Sequence, residues 1–531
     1  MAIKIYTWFA AVTLAAAVLT WIWVPAGWLF VLILPAWAVA LYDSAQTGHS
    51  LRRNFPFIGR ARWIAEYLRP FVRQYFIESD TSGAPISRMF RSIVYQRAKR
   101  DDDTNPYGTR LDVYRDGYEW LGHSLQAVNV DDIDTQPRVS IGGEACRQKY
   151  SASILNISAM SFGSLSSAAV TALNRGAKHG NFYHNTGEGG ISPYHLQGGD
   201  LVWQVGTGYF GCRNDKGRFD SGLFKENSAR DSVRMIELKL SQGAKPGHGG
   251  ILPAEKNSIE IARIRNVEPG TRVKSPSVHP EFDSPVGLLE FLQKLRESSD
   301  GKPVGFKLCV GRPHEFVAIC MAMIETGILP DFITVDGSEG GTGAAPLEYS
   351  NSVGMPLREG LAFVDDCLTG FGVRGEVRVI ASGKILTGFH LVKYLALGAD
   401  LCNSARGMML ALGCVQSLVC HTNRCPTGVT TQDPRLAAGL VVEDKYQRVY
   451  RFHDETMHAT VDLLSSSGLG HTSELARYHI HRRVNQHEVL RYDELYPPAE
   501  PGSFLRPPYP ENYARFLEEA SADSFALRRS G

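Results

Sequence analysis

Three cysteines and a set of lysine- and glycine-rich segments hold the residue types in this chain that could do redox chemistry. Cys414, Cys420 and Cys425 are spaced C-x5-C-x4-C, and Pro426 follows the third. A cysteine followed by proline recurs at iron–sulfur ligands. Spacing leaves three readings open: a three-cysteine iron–sulfur cluster, a zinc site completed by His421, or thiols that are core residues or chance loop residues. The cysteines at 146, 212, 309, 320, 367 and 402 read as small core residues, and the odd total argues against a disulfide framework.

Three segments, two of them glycine-bearing, suggest a phosphate-carrying cofactor. The run DGSEGGTGAAP at 336–346 contains Gly340 and Gly341, ASGKILTG at 381–388 contains Gly383 and Lys384, and NSAR at 403–406 ends in Arg406. Each offers backbone N–H groups or a cation to an anion, and each alone also reads as a plain turn. Lys307, in VGFKL at 304–308, is either an exposed strand residue or a charge aimed at a flavin's pyrimidine edge. Gln242 and Lys245 lie in QGAKPGHGG at 242–250, and Glu188 lies in NTGEGG at 185–190. Lys245 suits a substrate carboxylate; a solvated loop residue is the competing reading for either charge.

These residues need a scaffold that gathers loops. Strands are expected at 153–157, 304–308, 332–335, 377–380 and 401–403, with helices at 167–179, 259–264, 285–296, 313–326 and 390–396. Strands ending in Gly/Ser/Lys/Asp-rich loops before helices are the arrangement of an α/β fold of (β/α)-barrel type, with ligands at the carboxyl ends of its strands, and a doubly wound sheet has the same local alternation. No GxGxxG joins a strand to a helix, so Rossmann-type dinucleotide binding is not indicated. The 531 residues carry a formal charge of +1, which weakens any case for wrapping nucleic acid, and 44% hydrophobic against 21% charged residues excludes wholesale disorder.

The chain starts differently. No charged residue occurs between Lys4 and Asp43, and Pro25 and Gly27 interrupt the apolar run. One helix over that stretch would be about 57 Å long, so two membrane helices joined near 24–27 fit a bilayer core of about 30 Å better. Lys4, Arg52, Arg53, Arg60 and Arg62 then mark the cytoplasmic side. Residues 60–76 mix apolar and basic residues at helical spacing, suited to a lipid surface or to packing on the main domain. Residues 496–511 form a proline-rich tail, and a short helix is expected from 516.

Collinear segments carry a family resemblance. MSFGSLS at 160–166, NTGEGG at 185–190, QGAKPG at 242–247, the GGTGA core of 336–346, and 414–432 with CHTNRCPTGV resemble the FMN-binding synthase domain of the glutamate synthase large subunit, over about 153–432. The resemblance implies the (β/α)8 form of barrel, with FMN held by Ser161, Gln242, Lys307, Gly340, Gly341, Gly383, Lys384 and Arg406. It also implies a [3Fe-4S] cluster on Cys414, Cys420 and Cys425, and Glu188 and Lys245 as catalytic residues at the substrate. The implied reaction is reductive amination of 2-oxoglutarate to L-glutamate through 2-iminoglutarate. The expected domains are a transmembrane hairpin (1–42), a juxtamembrane extension (43–149), the barrel (150–440) and a C-terminal helical extension (441–531).

Departures from the family qualify that picture. The chain begins Met1-Ala2-Ile3, without the N-terminal cysteine of a glutaminase domain, and residues 440–531 are too few for the family's β-helix. Ammonia and electrons are therefore expected from outside, the latter from a ferredoxin-like donor or a reductase subunit. His248 and Ile251 stand where Glu and Gln are usual, and Tyr209 where arginine is common, which predicts altered substrate or flavin contacts. An inner-membrane enzyme facing the cytoplasm is the leading expectation. The alternatives are a membrane-linked amino- or imino-acid dehydrogenase and a non-catalytic scaffold on a retained barrel.

Overall fold

The computed structural model describes residues 2–101, 104 and 106–528, and the chain divides into two compact units, Met1–Arg88 and Met89–Gly531. In the first unit, α1 (Ala2–Ile22) and α2 (Phe30–Ala45) are joined by a 3-10 turn, Val24–Leu29, that contains Pro25. The pair is antiparallel. Trp37 Nε1 donates to Thr13 Oγ1 at 2.9 Å, and Tyr6 Oη donates to Ala40 O at 2.8 Å. The segments Ala2–Ile22 and Val24–Ala45 are each long and apolar enough to cross a membrane, and most of their surface is exposed. After a short helical turn at Ser50–Asn54, a further helix, α3 (Ala61–Val72), continues as a π-turn, Arg73–Ile77.

The second unit begins its core with an antiparallel pair, β1 (Arg138–Ile141) and β2 (Tyr150–Ser153). Eight parallel strands then close a barrel: β3 (Leu155–Ile157), β4 (His184–Asn185), β5 (Leu201–Val205), β6 (Val233–Lys239), β7 (Val304–Leu308), β8 (Phe332–Asp336), β9 (Arg378–Ser382) and β10 (Leu401–Ser404). Their order round the barrel is their order in the chain, and β6 pairs with β7 as β10 pairs with β3. The connecting helices are α4 (Ser167–Gly180), α5 (Ser221–Ser228), α6 (Pro285–Ser298), α7 (Pro313–Thr326), α8 (Leu357–Gly370) and α9 (Gly388–Ala396). Their starts are chemically marked: Ser166 caps α4, Asp220 caps α5, Ser284 caps α6 and Thr387 caps α9, each accepting a backbone N–H. The long α10 (Val442–Ser466) packs on α4, with Val449 filling the space that a side chain at Gly176 would need.

The barrel interior is layered. At the amino ends of the strands, Val202, Met235, Phe332, Ile380 and Leu401 form an apolar plug with Ile141, Tyr150 and Ala152 of the β1–β2 pair. Above it lies a buried polar layer. Glu237 accepts from Asn185 Nδ2 (2.8 Å), Gln204 Nε2 (2.6 Å) and Thr334 Oγ1 (2.6 Å), so its charge is dissipated by three donors from three strands. The carboxyl ends above this layer carry the charged residues.

The expected barrel is present, but three of its strands were not read from the sequence: β4, β5 and β6. β4 has two residues, too few for a period, and β6 carries Arg234, Glu237 and Lys239 in a run that alternation alone scores as amphipathic loop. The C-terminal helix spans Glu511–Glu519, earlier than the expected start at 516, because Pro510 stands immediately before its first turn.

Candidate active site

Glu188 sits in the loop after β4, between two glycines. A β-carbon at Gly206 would lie 2.9 Å from the Glu188 side chain, and one at Gly250 would lie 2.3 Å from its Oε1. Lys239, the last residue of β6, closes on it with Nζ 3.0 Å from Glu188 Oε1. The same ammonium donates to Gln242 Oε1 at 2.7 Å. Burial opposes ionisation of Glu188, but Lys239, with Lys245 and Arg265 behind it, outweighs burial and holds the carboxyl below its usual range. Burial pushes Lys245 down to about 8, against the pull of Glu188. Its Nζ donates to Ala344 O at 2.9 Å, which ties the 242–250 loop to the glycine loop after β8. A narrow pocket opens beside this pair, lined by Glu188, Thr207, Lys239, Gln242 and His248.

The glycine loops lie on the adjacent strands. Lys307, buried on β7 and in register with Lys239, has Nζ 3.4 Å from Asp336 Oδ2. That oxygen also accepts from Gly243 N at 2.8 Å. Gly243 is sterically required: a β-carbon there would lie 1.7 Å from Gly337 O, a backbone atom that cannot swing aside. Gly243→Ala is therefore expected to displace both loops and to cut bound flavin severely while far-UV circular dichroism stays barrel-like; flavin-to-protein absorbance after gel filtration checks it.

Arg406 follows β10 and donates to Glu339 O, while Gly341 leaves its guanidinium just enough room. Burial lowers the Arg406 pKa. Lys384 is lowered by burial and then by Arg406 itself. Two half-buried cations that repel each other beside Gly340, Gly341 and Gly383 form a cradle that a phosphate dianion would relieve. Lys307 and the Gln242 amide add donors on the barrel side. These residues fit FMN.

The sequence-predicted flavin and substrate residues thus gather at the carboxyl ends of the barrel strands, Ser161 among them in the loop after β3. Ser161 packs on the Glu188 loop, where a β-carbon at Gly187 would strike its N at 2.6 Å, and its hydroxyl donates to Ser164 Oγ at 3.1 Å. Lys239 and Arg265 were missed. Lys239 was legible only once Val233–Lys239 is a strand, and Arg265, on the helix Ile259–Arg265, left no local signal.

The expected [3Fe-4S] cluster is not supported. Among the described residues, no group of three or more His, Cys, Asp or Glu side chains is arranged to hold a metal ion. The C-x5-C-x4-C spacing sets chain length between thiols, not their convergence. Cys414 Sγ accepts from Gln416 N at 3.4 Å, and Cys425 Sγ lies 3.4 Å from Thr427 Oγ1, so both sulfurs have partners within their own loop.

Tyr209 does not face the pocket. It is fully buried among aromatic rings, and its hydroxyl meets His279 Nδ1 at 2.9 Å, while His279 Nε2 meets Lys239 O at 2.9 Å. Burial pushes His279 down to about 4. The neutral ring therefore donates from Nε2 to Lys239 O and accepts from Tyr209 at Nδ1. Tyr209→Phe leaves that nitrogen unpaired and should cost about 1–2 kcal/mol in urea unfolding. Ile251 belongs to a two-residue strand and pairs with Lys274, and His248 bonds Gly249 O through Nδ1 at 2.8 Å.

Comparison with known proteins agrees with this geometry. The profile of a family described as "Conserved region in glutamate synthase" matches residues 95–470. A glutamate synthase large subunit-like protein, YerD, of Bacillus subtilis (strain 168) is 38% identical over 503 residues, covering 87% of this chain and 95% of its own. An archaeal-type glutamate synthase [NADPH] of Thermotoga neapolitana is 30% identical over 433 residues, covering 79% and 80%. Barrel, glycine cradle and these matches together place the chain in the FMN-binding synthase-domain family of the glutamate synthases.

Proposed function

We propose that this protein is an FMN-dependent oxidoreductase that reductively aminates 2-oxoglutarate to L-glutamate, through 2-iminoglutarate, with ammonia and electrons supplied from outside. The observation that carries this reading is the Glu188–Lys239 pair beside Lys245, next to the anion cradle. Lys245 would bind a substrate carboxylate. Glu188, kept ionised by Lys239, would stabilise the positive charge of ammonium or of the iminium carbon–nitrogen bond. Lys307 and Gln242 would hold the flavin ring, and Arg406, Lys384, Gly340, Gly341 and Gly383 its phosphate. FMN, when bound, supplies the hydride. The narrow pocket limits water around the charged pair, so each interaction counts for more than in solution.

The electron source would be a ferredoxin-like protein or a reductase, in keeping with relatives whose names include NADPH. The hairpin α1–α2 would cross the cytoplasmic membrane, with the catalytic unit on the basic, cytoplasmic side. That hairpin favours one second reading, a dehydrogenase that passes electrons from an amino acid to a membrane acceptor. Membrane-extracted protein should be yellow and release FMN. Chemically reduced enzyme given 2-oxoglutarate and ammonium should form glutamate. Flavin without glutamate would favour the second reading, and colourless protein would overturn both.

A further inference from the structure

Within the first unit, the segment after the hairpin carries an apolar face that the unit's own described residues leave exposed. From Ala61 to Ile77 the chain is helical. At 100° per residue, Ile64, Tyr67, Leu68, Phe71, Val72 and Tyr75 fall on one side. Their exposures are 61, 73, 46, 50, 43 and 54%. Arg62, Glu66, Arg69 and Arg73 fall on the other, where Glu66 lies 3.8 Å from Arg62 and 3.7 Å from Arg69. A soluble helix buries such a stripe, and α3 has no buried residue.

Three observations say what covers it. First, its start is clamped to the polar end of an apolar helix. Asp43 of α2 is fully buried and accepts from Arg60 Nε (2.9 Å), Arg60 Nη2 (2.7 Å) and Phe57 N (3.1 Å). Second, the segment is too short to cross a bilayer, about 26 Å at 1.5 Å per residue, and it carries charges and Pro70 midway. It suits a position along a membrane surface. Third, its polar face is net basic, three arginines to one glutamate, which complements acidic headgroups.

We propose that the helical segment 61–77 lies in the plane of an anionic lipid surface, apolar face down, as a membrane contact separate from the hairpin. The idea rests on the reading of α1–α2 as embedded in the bilayer. The experiment uses the full chain in phosphatidylglycerol-containing vesicles, with a photoreactive benzoylphenylalanine replacing Phe71, Arg69 or, in the hairpin, Leu32. Flavin absorbance confirms that each variant is folded. Lipid adducts, read by mass spectrometry, should form severalfold more at 71 than at 69, and should fall severalfold at 71 but not at 32 in phosphatidylcholine alone. Protein–protein crosslinks at 71 in place of lipid adducts, either to a second copy or to the barrel unit, would overturn the proposal while leaving the hairpin reading intact. Equal adduct yields at 71 in both lipids would overturn its electrostatic part. No lipid adduct at 32 would overturn the hairpin reading itself.

Discussion

Glu188→Gln should lower kcat for glutamate formation from 2-oxoglutarate and ammonium by about 10²–10³-fold, the usual cost of losing one preorganised charge partner, with flavin content unchanged. The amide keeps the shape between Gly206 and Gly250 but loses the negative charge that Lys239 holds at 3.0 Å. KM for ammonium should rise as well, since ammonium is the cation that this carboxylate would attract. Stability supplies an independent readout. Glu188 ionises below its ordinary value of 4.5. Its pairing therefore contributes stability that is present above pH 4.5 and lost as pH falls through the lower folded value. The wild type should show that acid-side loss in urea midpoints measured from pH 3 to 6, and the glutamine variant should lack it. Unchanged turnover in a folded, yellow variant would remove Glu188 from the chemistry.

Lys245→Met should raise KM for 2-oxoglutarate by about 10–100-fold, the equivalent of one charge-assisted hydrogen bond, with a smaller effect on kcat. The pH dependence carries the sharper test. Burial brings Lys245 down to about 8, so the ammonium that meets the carboxylate is lost as pH rises through about 8. KM in the wild type should climb by about tenfold per pH unit above that point. Lys245→Arg stays charged and should flatten the climb even if its basal KM is higher. The stability effect has the opposite sign to that of Glu188. A lysine with a depressed pKa is a cost while protonated, and that cost fades as pH rises from about 8 towards its unfolded value of 10.5. A KM flat from pH 7 to 9.5 would show that Lys245 does not bind the substrate.

Most of the candidate site was legible because glycine, lysine and glutamate stand in short segments whose local geometry is itself the signal. Gly243 illustrates why: the close approach of Gly337 O forbids any side chain, so the residue type records the contact. Lys307 was legible because it lies inside an otherwise apolar strand, where a charge needs a reason. Lys239 was not, because its strand carries other charges and its partner Glu188 is remote in sequence. The cysteine triplet misled for the converse reason. Its spacing describes a loop, and whether sulfurs converge is decided by how that loop packs.

By itself the sequence determined the α/β alternation, the apolar start of the chain and the family, since these follow from periodicity, composition and short motifs, and the barrel class came with the family resemblance those motifs carry. The tertiary structure alone decided which charges meet. It put Lys239 on Glu188, turned Tyr209 inward onto His279, set Arg406 against Lys384, and left Cys414 and Cys425 bonded within their own loop. Barrel closure brings β6 beside β7 and β10 beside β3, and pairings between residues so far apart in the chain have no local signature.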